Sequence, residues 1–174
     1  VVVGSGPSGD RTRRSYVRDV QTGVTTLISR NSGGAPASSG LSVGLSDSGR
    51  FVIFASTQGL ESGDVNATYD LYAIDRDPDG NGLYEESMRS APIWVSKDAQ
   101  LGVIDAAQFG GDVVGGSLDA PCFDISADGR FVTYIRRRAS SATTTVNDVH
   151  VYDRDANQNG VFDEPGGVSD SRSE

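Results

Sequence analysis

Two stretches of this chain place oxygen-bearing side chains at alternate positions of a short loop, the arrangement a hard cation needs. They are the twelve-residue runs Asp75-Arg-Asp-Pro-Asp-Gly-Asn-Gly-Leu-Tyr-Glu-Glu86 and Asp153-Arg-Asp-Ala-Asn-Gln-Asn-Gly-Val-Phe-Asp-Glu164. Counted from Asp77, the first offers Asp77, Asp79 and Asn81, then Gly82, the apolar Tyr84 and the acid Glu85. Counted from Asp155, the second offers Asp155, Asn157 and Asn159, then Gly160, Phe162 and Asp163. Alternate residues of a tight loop can point inward together. Glycine permits the positive φ that a sharp turn demands, and the apolar residue ties the loop back to its sheet. The expectation is one Ca²⁺ per loop, two in all, each held by about six to eight oxygens. Neither loop has His or Cys nearby, which disfavours zinc.

A second register begins two residues earlier, at Asp75 and Asp153, and is that of an EF-hand. It needs Gly at its sixth position, which Gly80 satisfies and Gln158 does not. The later register suits both loops. Under it Asp75, Asp153, Glu86 and Glu164 become outer or supplementary ligands. Asp, Asn and Gly also build plain solvated turns, and that is the competing reading. The preferred pattern resembles the D-x-D-x-D-G-x-x-D hairpin loops of integrin-type propellers and thrombospondin repeats.

The elements that must hold these loops recur with them. Leu45-Ser-Asp-Ser-Gly-Arg-Phe-Val-Ile-Phe54 returns as Ile125-Ser-Ala-Asp-Gly-Arg-Phe-Val-Thr-Tyr134, and Asp70–Asp77 returns as Asp148–Asp155. A partial copy, Ser15–Ser29, has the short turn Gln21-Thr22-Gly23 in place of an acidic loop. A fixed order at a fixed period marks a repeat architecture. Short runs rich in Val, Ile, Phe and Tyr read as strands. Strand a is Leu41–Ser46 and Pro121–Ser126, strand b Phe51–Ser56 and Phe131–Arg136, and strand c Asp70–Asp75 and Asp148–Asp153. Strand d is Pro92–Ser96 and Gly167–Ser169, and Val1–Ser5 matches a strand b. Phe51–Phe54 is apolar without alternation, so that strand should be covered on both faces.

The Ser-x-Asp-Gly-Arg-Phe-Val-x-Tyr run at Ser126–Tyr134, and its slightly weaker copy at Ser46–Phe54, resemble the TolB-type β-propeller repeat of bacterial envelope and secreted proteins. That resemblance implies an all-β chain, a partial β-propeller of four-stranded antiparallel blades. About two and a half blades fit here: residues 1–30 a partial blade, 31–98 a complete one, and 99–174 a third with a long connection into it. Closed rings need more blades, so the expectation is a segment completed by further blades of the same chain or by other subunits. Its terminal faces would otherwise expose apolar surface.

The remaining chemistry is sparse. The 174 residues carry a formal net charge of −9, which speaks against nucleic-acid binding. No apolar run is long enough for a membrane span. Cys122 and His150, each the only one of its type, read as packed side chains, and no catalytic residues can be named. Two arginine clusters, Arg11/Arg13/Arg14 and Arg136–Arg138, fall on the b–c side, opposite the acidic loops. Weak sites of this kind suit millimolar extracellular calcium, so an extracellular, cell-surface or periplasmic location is expected. The functional expectation is a binding, surface or structural-assembly scaffold. The alternative is a non-catalytic propeller portion of a secreted or periplasmic hydrolase.

Overall fold

The computed structural model describes residues 2–5, 13–65, 69–84, 91–97, 123–139, 145–164 and 171–173. Glu85, Glu86, Arg11, Cys122 and the expected strand Gly167–Ser169 lie outside the described residues. Eleven strands and no helix occur among the described residues. They form three open antiparallel sheets. The first holds β1 (Val2–Ser5), β2 (Arg13–Arg18) and β3 (Thr25–Leu27). In the second, β4 (Leu41–Leu45), β5 (Phe51–Ser56), β6 (Asp70–Asp75) and β7 (Ile93–Trp94) pair in chain order. The third repeats that order with β8 (Phe123–Ile125), β9 (Phe131–Ala139), β10 (Thr145–Asp153) and β11 (Ser171–Ser173).

The sheets meet face to face. Alternation in β5 and β6 sends Val52, Phe54, Tyr72 and Ile74 to one side, where they join Val17 and Ile28 of the first sheet's region. Phe51, Ile53, Ala55, Leu71 and Ala73 go to the other side and meet Phe123, Ile125, Val132, Tyr134 and Tyr152 of the third sheet. Every residue of β5 is buried. An unalternating apolar strand packed on both faces follows directly from that position. His150 is buried and stacks on Tyr134 with ring centroids 5.5 Å apart, as a packed side chain should.

Several boundaries differ from the sequence expectation. The hairpin of β9 and β10 is longer, reaching Ala139 and starting at Thr145, with Ala139 opposite Thr145. Strand d of the second sheet is shorter than Pro92–Ser96. Beyond Trp94 the Val95 N–H still bonds the Leu71 carbonyl at 2.8 Å, but the Leu71 N–H goes to the Ser96 hydroxyl at 3.1 Å, so a side chain takes the return bond. In the third sheet the strand in the d position, on the other side of β10 from β9, is Ser171–Ser173.

Candidate metal loops and the clamps beneath them

Each acidic loop leaves the end of a central strand, β6 or β10, and the same local bonds shape both. The Asp77 carboxylate accepts the N–H groups of Asn81 and Gly82, each at 2.9 Å. Asp155 accepts those of Asn159 and Gly160 at 2.9 and 3.0 Å. Gly82 and Gly160 have φ of 83° and 85°, so glycine stands where the chain turns left-handed. The other turning position holds Gly80 at 69° and Gln158 at 59°. From Asp77 to Gly82 and from Asp155 to Gly160 the two loops therefore turn alike, although only one has glycine at this position.

In the second loop two amides converge on one carboxylate. Asn157 and Asn159 donate their side-chain amides to the same Glu164 oxygen, at 2.9 and 2.7 Å. In the first loop Asn81 donates to Asp79 at 3.0 Å. Asp77 and Asp155 are buried, whereas Asp79, Asn81, Asn157 and Asn159 are exposed. Burial opposes ionisation of Asp77, but the Gly82 N–H, Asp79 and the Asn81 N–H outweigh it and hold its pKa below the ordinary value.

Asp75 and Asp153, expected as outer ligands, are bound by arginine. Arg50 grips Asp75 through Nε and a terminal nitrogen at 2.8 and 2.7 Å, and Arg130 grips Asp153 at 2.7 Å through both. One oxygen of each also accepts the N–H of Asp77 or Asp155, at 2.9 and 3.0 Å. These carboxylates thus fix the first residue of each loop onto the a–b turn. The Arg130 hydrogen bond holds the Asp153 pKa below its ordinary value despite partial burial.

A second arginine lies under each loop. Arg76 and Arg154 donate to the Gly49 and Gly129 carbonyls at 2.7 and 2.8 Å. Arg154 also holds Asp163 at 2.6 Å, in a pair whose side chains are 1% and 7% exposed. Only Oδ2 of Asp163 is engaged; Oδ1 is buried with no hydrogen-bond partner. Asp163 lines a cavity of about 70 Å³ together with Asp153, Arg154, Asp155, Asn157 and Glu164. A buried carboxylate oxygen without a donor is costly, and a hard cation is a partner of the right chemistry. Even so, among the described residues no group of three His, Cys, Asp or Glu side chains converges on one point.

The apolar anchors differ: Tyr84 ties its loop to its own sheet, as expected, whereas Phe162 packs on the neighbouring sheet. Tyr84 bonds the Ser48 carbonyl at 2.9 Å and lies under Arg76. Phe162 packs on Phe51 of the second sheet, ring centroids 5.0 Å apart, with Arg154 over both rings.

Comparison with models of known protein families, with curated proteins and with solved structures finds no match. Nor does any helix among the described residues have the length and apolarity to cross a membrane.

The four arginines were not singled out in the sequence reading. Their signal was present: Gly-Arg-Phe and Asp-Arg-Asp each occur in both repeats, at Arg50/Arg130 and Arg76/Arg154.

Proposed function

We propose that the chain is part of a calcium-stabilised β-propeller scaffold, located outside the cell or in the periplasm, with a binding or structural-assembly role. Support for the architecture comes from three antiparallel sheets stacked in chain order, two of them with four strands paired each to the next. That is the blade pattern. One observation carries the cation: Oδ1 of Asp163 is buried and unpartnered, and Asp163 lines one small cavity with Asp155, Asn157 and Glu164. In this reading Asp155, Asn157, Asn159 and Asp163 hold one ion, with Glu164 supplementary. Asp77, Asp79, Asn81 and Glu85 hold the other, with Glu86 supplementary. The ions stiffen hairpins and take no part in a reaction.

The test is thermal melting with calcium and with EGTA, alongside calorimetric titration. A ligand at 100 times its Kd stabilises the bound state by about 2.7 kcal/mol, which is a shift of several degrees in Tm. Asp155→Ala and Asp77→Ala should each remove part of the calcium-dependent increment, beyond any loss they cause in EGTA. Identical melting with and without calcium, together with no heat of binding, would refute the cation reading.

A further inference from the structure

One face of the repeat is buried in the second sheet and partly exposed in the third. Phe51, Ile53, Ala55, Leu71 and Ala73 are covered by the third sheet. Their counterparts are Phe131, Thr133, Ile135, Val149 and Val151. Register places Thr133 opposite Val151 and Ile135 opposite Val149, so they share one face. There Phe131, Val149 and Val151 are 38%, 55% and 37% exposed, against 8%, 0% and 0% for Phe51, Leu71 and Ala73. Apolar side chains clustered on one sheet face mark a docking surface.

The molecule itself shows what covers such a face. Phe51 sits in a socket on the third sheet made by Gly129, Arg154 and Phe162. A Cβ at Gly129 would overlap the Phe51 ring. The Arg154 guanidinium lies 4.7 Å from the Phe51 centroid, and Phe162 packs beside it. The backbone N–H of Asp47, in the turn of one sheet, donates to the Ala127 carbonyl on the next at 2.9 Å.

We propose that the outer face of the third sheet docks a further four-stranded sheet of this same repeat, with Phe131 seated in that sheet's glycine–arginine–aromatic socket. This rests on the stacked-sheet scaffold reading and specifies its partner. A second copy of the chain does not supply the socket. The first sheet follows Asp19 with the exposed Val20 where the socket arginine would stand, and its turn carries no aromatic. The other socket, Gly49, Arg76 and Tyr84, belongs to the second sheet, on whose side the first sheet already packs. The partner therefore carries a complete repeat: a Ser-x-x-Gly-Arg-Phe turn and an Asp-Arg-Asp loop with an aromatic seven residues after the second Asp.

The experiment extends the full chain beyond Glu174 with a second copy of residues 31–98, which brings a free socket. Hydroxyl-radical labelling of Phe131, Val149 and Val151 is compared in the original and extended chains, with buried Tyr134 as reference. A several-fold fall in labelling at all three is expected. Arg76→Ala in the appended copy alone should restore labelling at Phe131 more than at Val149. Protection of the two valines without Phe131 would overturn the socket and leave stacked sheets standing. No protection anywhere would overturn both. Protection in the original chain through self-association would assign the face to a second copy and overturn the proposal. Should the extension fail to fold, the original chain still tests the exposed face. Val149→Lys should leave its Tm unchanged, and a fall of several degrees would overturn the proposal by showing the face already covered.

Discussion

The second and third sheets run the same program in different surroundings. Their turns match bond for bond: Ser46 and Ser126 each take the N–H of the following phenylalanine, at 3.1 and 2.9 Å. The loops match too, down to a left-handed residue at Gly80 and at Gln158. Burial does not match. Phe51 is enclosed and Phe131 is not. Short-range sequence sets the shape of a turn or loop wherever it stands, because its bonds span only a few residues. Burial of a strand depends on whether another sheet lies across it.

The largest expected effect breaks that comparison if it fails. Phe51→Ala should destabilise the chain by about 3–5 kcal/mol, as large aromatic truncations in cores do. It also empties the space between Gly129, Arg154 and Phe162. Phe131→Ala, at the same repeat position, should fall within about 0.5 kcal/mol of the parent, as surface substitutions do. Urea unfolding of both variants measures this. Equal losses would mean that the third sheet's outer face is covered within the chain.

The sequence carried the fold well where its signals were local. Strand c at Asp70–Asp75 has the expected limits, and the unalternating Phe51–Phe54 run announced a strand buried twice. Val2–Ser5 does pair as a strand b, beside β2. Less legible was what Asp75 and Asp153 do. Their partners Arg50 and Arg130 lie 25 and 23 residues away, and acid counts alone cannot distinguish a cation ligand from an arginine clamp. Asp163 illustrates the same limit. Its position in the loop pattern suggested a ligand, but only the fold reveals that Arg154 holds one oxygen and leaves the other bare.

A smaller effect should come from acid. Arg130 lowers the pKa of Asp153 below 3.8, and the Ser126 hydroxyl with the Arg130 N–H does the same for Asp128. A folded-state pKa below the unfolded one means that the native state binds fewer protons, so stability rises with pH across that range. The contribution is fully present above the ordinary value of 3.8 and is lost as pH falls through the depressed ones. Stability of the parent should therefore decline below about pH 4, and Asp128→Asn should flatten part of that decline. The second sheet has Ser48 at the equivalent place, so Ser48→Asn should leave the acid limb unchanged. Matching acid limbs for Asp128→Asn and the parent would show that this carboxylate carries none of the dependence.

The smallest effect concerns a left-handed position that is glycine in one loop and glutamine in the other. Gln158 holds φ at 59°, a left-handed conformation that costs a side chain of ordinary chirality about 1–2 kcal/mol. Gly80 adopts 69° without that cost, and a Cβ added there would meet nothing within 4 Å. Gln158→Gly should therefore stabilise the third sheet's loop. Glycine's extra freedom in the unfolded chain, about 0.5–1 kcal/mol, offsets part of the gain, leaving a net increase of up to about 1 kcal/mol. Gly80→Gln should destabilise by a similar amount, with no packing change to confuse the sign. Both variants are compared by urea unfolding in EGTA, so that cation binding does not enter. Opposite signs would confirm that the shared loop shape is imposed by its hydrogen bonds against the preference of Gln158. If both variants are neutral, the two loops do not share that backbone, and the equivalence drawn between them at this position is lost.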